Sequence, residues 1–318
     1  MLTALGGATR RWMGDVNPWT NVYGLARTLL ATGTALTLAF NPTTLMFRPA
    51  AGGIEAPICQ GMSNAALFCL VPRGGLEWAR WLAVALLVVV ASGWRPRLTA
   101  PVHWWLSFSL HSTALATDGG DQVTSVLTLL LLPLTLTDGR RWHWDPPRER
   151  GEGARLVALS SLTAIRLQVA LVYFHAAVAK FPVREWADGT ALYYWLLDPG
   201  IGASPWLAAL LRPLLTQGVP VALLTWSVLV LEVFLAAGLV VEKRHRGRLL
   251  LLGLGLHGGI ALIHGLPSFA LAMAGALVLF LRPLEDGFAW LRLRRSPSPR
   301  AACSHHEARL CSRPENVS

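Results

Sequence analysis

The sequence predicts an all-α, multi-pass membrane protein: a bundle of about eight transmembrane helices with an external lid of short interfacial helices. Three observations carry this reading. Of the 318 residues, 53% are hydrophobic and only 14% charged, with mean hydropathy +0.45, against about 25% charged in an ordinary soluble domain. The apolar residues fall in blocks near 20 residues long, enough helix to cross a hydrocarbon core of about 30 Å. The basic residues gather on alternate loops. Together these exclude a disordered chain, a disulfide-rich secreted scaffold and a soluble nucleic-acid binder.

In chain order, hydropathy predicts spans over 22–40, 76–93, 101–117, 121–137, 156–180, 219–241, 249–264 and 267–283. The third, fourth and seventh are short, which tilt or shielding by neighbours accommodates. Residues 1–21 read as a cytoplasmic N-terminal segment. Arg10 and Arg11 are followed by Asn17-Pro18 without a cleavage-type site, so the first span is retained. Residues 22–283 form the membrane domain. Residues 284–318, rich in Arg, Ser and Pro, read as a basic, disordered cytoplasmic tail. The external connection 181–218 carries two apolar pieces, Ala191–Leu197 and Pro205–Leu215, each too short to span. These are the expected lid helices. No internal repeat recurs at a fixed period.

Charge sets the orientation. With both termini cytoplasmic, twenty Lys and Arg fall on the inner side: Arg10 and Arg11, Arg95 and Arg97, five between Arg140 and Arg155, four between Lys243 and Arg248, and seven from Arg282 to Arg313. Five fall outside: Arg48, Arg73, Lys180, Arg184 and Arg212. That asymmetry obeys the positive-inside rule. It accounts for the net charge of +10 through topology and attraction to anionic membrane lipid, with no nucleic-acid partner required. The same topology puts Cys59 and Cys69 in the first external loop, where an oxidising compartment favours a disulfide between them. Cys303 and Cys311, beside His305 and His306, lie in the tail, and no metal site is expected there.

Ionisable residues inside a span are costly and mark candidate sites. Arg166 and Glu232 each lie about 13–15 Å from the inner end of their spans by helical rise, so they are expected to form a buried structural ion pair. Arg27, in the inner third of its span, is expected to meet a lipid headgroup or snorkel to the interface. A second polar group collects toward the outer face, with Asp118 and Asp121 between the third and fourth spans and His175 and Lys180 at the end of the fifth. Only Lys180 and Lys243 are lysines among the 28 basic residues. At a desolvated membrane boundary Lys180 can serve as a base or nucleophile, or simply snorkel outward. His103 and His111, eight apart, and His257 and His264, seven apart, invite a haem reading. No motif fixes a pairing of axial ligands, so haem is disfavoured.

Three stretches give a resemblance. The first runs Asn17-Pro-Trp-Thr-Asn-Val-Tyr-Gly-Leu-Ala-Arg27. The second is Asp118-Gly-Gly-Asp-Gln122, followed after a Leu-rich span by Thr137-Asp-Gly-Arg-Arg-Trp142. The third is Gln168-x4-Tyr173-Phe-His-Ala-Ala-x-Ala-Lys180-Phe-x4-Trp186-x2-Gly189-Thr-Ala-Leu-Tyr193. In order and spacing, together with the Cys59/Cys69 loop, they resemble the sporulation-delaying protein B (SdpB) family. That family belongs to the wider HTTM group, membrane domains similar to the vitamin K-dependent gamma-glutamyl carboxylase. The resemblance covers roughly residues 17–283.

The resemblance implies a bacterial plasma-membrane protein that acts with a small partner protein to mature a secreted antimicrobial peptide toxin from its precursor. In the carboxylase a Tyr-Phe-x5-Lys block supplies the lysine that works with reduced vitamin K on the outer side. The matching positions here are Tyr173, Phe174 and Lys180. The implied site therefore centres on Lys180, with His175, Tyr173, Asp118 and Asp121 as neighbours. Glutamate carboxylation itself is not expected, because Asp121-Gln122-Val123 stands where the carboxylase has a histidine and Lys180 to Trp186 is one residue longer. Two rival readings stay open at this point. One is a membrane redox enzyme of carboxylase-like type using a quinone or, less favoured, haem. The other is a non-catalytic scaffold or immunity-like factor.

Overall fold

Each apolar stretch forms a helix, and local residues that hydropathy does not weigh set the ends. A computed structural model describes residue 14, residues 16–49 and residues 56–288. The long helices are α1 (Asn21–Phe40), α2 (Leu76–Ser92), α3 (Pro96–Thr113), α4 (Gly119–Thr137) and α5 (Glu152–Val178). Two short helices follow, α6 (Ala191–Leu197) and α7 (Pro205–Leu215), then α8 (Gly218–Ala236), α9 (Lys243–His264) and α10 (Pro267–Leu281). Among the described residues no strand forms beyond one isolated bridge between Trp94 and Trp142. Five of the helices, α2, α4, α5, α8 and α9, are long and apolar enough to cross a membrane. The tail cysteines and histidines lie outside the described residues.

Several ends differ from the hydropathy reading for identifiable reasons. Helix α3 begins at Pro96 instead of 101, because proline at the first helical position gives up no hydrogen bond. The turn before it is fixed by Gly93, whose φ of +88° only glycine adopts freely. A Cβ at Gly93 would also lie 2.4 Å from the His143 ring. Helix α5 is 27 residues long, about 40 Å by helical rise and so longer than a bilayer core.

Helix α10 is the hub. Residues Gly275 to Leu281 are all buried, and it packs on α1, α4, α5 and α9. A helix apolar on every side belongs in the interior of a bundle. Around it the neighbours run α2 on α1, α3 on α4, α4 on α5, and α5 on α8. The bundle has two distinct ends. One, the basic end, carries Arg95, Arg140, Arg141, Lys243 and Arg246. The other, the disulfide end, carries Cys59 and Cys69, bonded at 2.05 Å.

Two separate structures lie at the disulfide end, the Cys59–Cys69 loop and the hairpin of the two short helices. The Cys59–Cys69 loop sits on α3: Leu67 N donates to Ser109 Oγ, Trp105 Nε1 to Ala65 O, and Ile58 N to Thr113 O. Beside it, Arg80 caps α1 by donating to Leu38 O at 2.6 Å while pairing with Glu77. The hairpin of α6 and α7 instead leans on the outer flank of α8 and the end of α9. Leu196, Leu215 and Val221 share a small core with Ile263, and His264 Nδ1 lies 2.7 Å from Ile201 O. Asp198 turns the hairpin by accepting from Ile201 N and Gly200 N, which holds its carboxyl below the usual range. Trp195, Trp206 and Leu210 remain exposed on it. Among the described residues the apolar faces of these short helices thus find α8 on one side and no partner on the other, as suits a membrane flank.

Candidate functional site

Helix α5 ends at Val178, and the turn that follows folds the Lys180 side chain back along the helix. Its Nζ donates to Ala176 O at 3.1 Å and to both carboxylate oxygens of Glu232 at 2.7 Å. The Trp186 ring covers the ammonium at 5.1 Å, a cation–π contact. Trp186 is held there by the chain that leads to Gly189. Gly189 takes φ +85° and rests on α8, where a Cβ would come 2.7 Å from that of Ala222. This explains the Trp186-x2-Gly189 spacing: one residue covers the lysine and the other permits the close approach.

Below the pair, Tyr173 and His257 are both buried, with Tyr173 Oη and His257 Nε2 2.8 Å apart. His257 Nδ1 is buried with no hydrogen-bond partner among the described residues, and its ring meets the edge of Phe269 at 5.4 Å. Tyr173 on α5, Glu232 on α8 and His257 on α9, with Lys180 just past the end of α5, put the two pairs between the same three helices. Glu232 lies 14 residues into α8, about 21 Å from the helix's start at Gly218. An ion pair at that depth is desolvated, and its attraction is stronger than it would be in water. The cluster can donate a proton from Lys180, accept one at Glu232, or orient a polar group against Tyr173.

The structure redistributes the residues expected at this site. Lys180 and Tyr173 are together. His175 is exposed on another face of α5 and does not join them. Asp118 and Asp121 form the capping box of α4: Asp118 Oδ1 accepts from Gly120 N and Asp121 N, and Asp121 accepts from the Asp118 N–H and from Thr37 Oγ1. Both carboxylates are thereby committed to a helix end. The expected Arg166–Glu232 pair does not form. Because α5 begins so far into the basic end, Arg166 stands level with Arg246 and Glu285, lining a cavity with them, while Glu232 lies farther along the bundle and takes Lys180.

Sequence reasoning missed a second buried polar cluster, at the basic end, which joins the first two motifs. Tyr23 Oη donates to Asp138, and Arg140 holds both Asp138 oxygens and donates to Asp145 O at 2.8 Å. Trp19 Nε1 donates to Thr137 Oγ1 at 3.1 Å. Arg27 is 1% exposed and donates to Thr99 Oγ1 at 2.6 Å, so it neither snorkels nor reaches a headgroup. His143 is wholly buried beside Thr28. The available signal was the motif pair itself, since polar residues that recur in a compact motif beside a span need partners.

The arrangement can be set beside known proteins. The chain is 37% identical over 279 residues to sporulation-delaying protein SdpB of Bacillus subtilis (strain 168), covering 86% of this chain and 85% of that protein. The chain belongs to the SdpB family. It is also 40% identical over 299 residues to the uncharacterized protein YitO of the same strain, covering 93% of this chain and 96% of YitO. No protein-family model and no solved structure matches it. The family read from the three motifs is therefore the one that full-length similarity shows, and with its five apolar helices this SdpB-family chain is a membrane protein.

Proposed function

We propose that this chain is a bacterial plasma-membrane factor for producing a secreted antimicrobial peptide toxin, acting with a small partner protein on a peptide precursor. The observation that carries the reading is the 37% identity to sporulation-delaying protein SdpB over 86% of the chain. In this reading all eight long helices cross the bilayer, both termini are cytoplasmic and the basic end faces the cytoplasm. The working site is the Lys180–Glu232 pair with Tyr173 and His257, placed under the outer hairpin. Its resemblance to the carboxylase lysine supports a role for Lys180 as proton donor, base or anion-binding group. Two features support a site over a simple anchor. Lys180 turns inward to a carboxylate instead of outward to headgroups, and a second polar pair adjoins it.

The test is intact mass of the secreted peptide from cells carrying the wild-type or Lys180→Ala chain at matched membrane abundance. The expected outcome is loss of the mature peptide, or of one modification on it, by about 100-fold or more, the scale of removing an acid–base group. An unchanged peptide at normal yield would overturn the site and leave a scaffold.

A further inference from the structure

The geometry points to a phosphate-binding site at the basic end, between α5, the start of α9 and the segment after α10, that takes the headgroup of an anionic membrane lipid. A cavity of about 180 Å³ is lined there by Arg166, Lys243, Arg246 and Glu285, with Leu162 and Leu284 on its apolar side. Among the described residues three cations face one carboxylate there. Glu285 is engaged by Lys243 at 2.7 Å. Arg246 spends two of its donors on the carbonyls of Val241 and Leu239. Arg166 has no ion-pair partner among the described residues, and its Nε is buried without a hydrogen bond.

A guanidinium on the wall of a membrane helix is costly when the carboxylate sharing its cavity, Glu285, is taken by Lys243. An anion that accepts from Arg166 and Arg246 together removes that cost through charge-assisted hydrogen bonds. The cavity is too small for a whole lipid headgroup but ample for its phosphate. It adjoins a larger cavity of about 460 Å³ across the shared wall of Val16, Leu284 and Glu285, with room for the remainder. The Leu162 and Leu284 side suits the glycerol and first acyl carbons. Basic pockets between helices at a membrane surface hold lipid phosphates in this manner. The bare chemistry, a phosphate group, is shared with inorganic phosphate, and the experiment separates the two. None of this depends on the role assigned to Lys180.

The full-length chain, purified in neutral detergent, is titrated with dioleoylphosphatidylglycerol, dioleoylphosphatidylcholine or inorganic phosphate, reading thermal midpoint and lipid adducts by native mass spectrometry. Phosphatidylglycerol is expected to raise the midpoint and remain bound, with affinity about tenfold weaker in Arg166→Gln and Arg246→Gln, the scale of one charge-assisted bond. Glu285→Gln is expected to bind tighter, because it frees Lys243 and removes the competing carboxylate. That opposite sign keeps the test decisive if Arg166→Gln fails to fold. A shift by phosphate alone, with the same dependence on the variants, would assign the site to a free anion and overturn the lipid. An equal shift by phosphatidylcholine, or variants indistinguishable from wild type, would overturn the site.

Discussion

Lys180 and Glu232 are the residue-scale centre of this molecule, and neither is informative without the other. The third motif grouped Tyr173 with Lys180 through its resemblance to the carboxylase block, and the structure brings them together although Lys180 lies in the turn after α5. The carboxylate that Lys180 would choose was not legible there. Depth counted from span ends paired Glu232 with Arg166, and the count failed because α5 begins well outside the core at Glu152. Removing one partner of a buried pair leaves the other charge uncompensated, at about 3–5 kcal/mol. Glu232→Gln should therefore lower the thermal midpoint of the purified protein. The double variant Lys180→Glu with Glu232→Lys should recover most of that stability. If the pair is chemical, the swapped protein should be folded and still fail to produce the mature peptide. Recovery of the peptide along with the fold would reduce the pair to a strut.

At the scale of elements, the two structures at the disulfide end can be separated by experiment. The Cys59–Cys69 bond closes a short loop, with a sequence separation of 10, and constrains its unfolded state by about 3 kcal/mol in the chain-entropy account. That loop rests on α3, while the hairpin rests on α8 and α9. Cys59→Ser should lower the thermal midpoint yet leave peptide production intact at permissive temperature. A loss of production in a folded Cys59→Ser protein would show that the loop takes part in the chemistry. The helix positions themselves were legible from hydropathy. The bounds of Ala191–Leu197 and Pro205–Leu215 were read directly from their apolar runs, but where those short helices pack was not. A short apolar face fits many surfaces, and only the available flank of α8 selects one.

For the whole molecule, orientation is the open physical statement, and charge predicts it. Single cysteines in a Cys-free background that retains function should react with a membrane-impermeant maleimide from outside at Ser204, in the hairpin, and only after permeabilisation at Arg148. Labelling at Arg148 in intact cells would reverse the topology and move the Lys180 cluster relative to both compartments. The basic end also explains why the first two motifs exist. Tyr23, Asp138 and Arg140 lock α1 to the turn after α4, and the backbone of residues 93–95 bonds to residues 141–143 beside them. This clamp gathers four helices at one end before α5 departs.

The sequence alone determined that the chain is helical, that it belongs in a membrane, which family it resembles, and that Lys180 is chemically unusual. Each of these follows from composition, from periodicity or from short motifs, which are local properties of the chain. Only the tertiary structure decided the partners: Glu232 for Lys180, His257 for Tyr173, Asp138 for Tyr23, and a helix cap for Asp118 and Asp121. Partnership depends on the axial offset between helices far apart in sequence. That offset is set by how α10 packs against its four neighbours, a sum over many weak apolar contacts that no single residue announces.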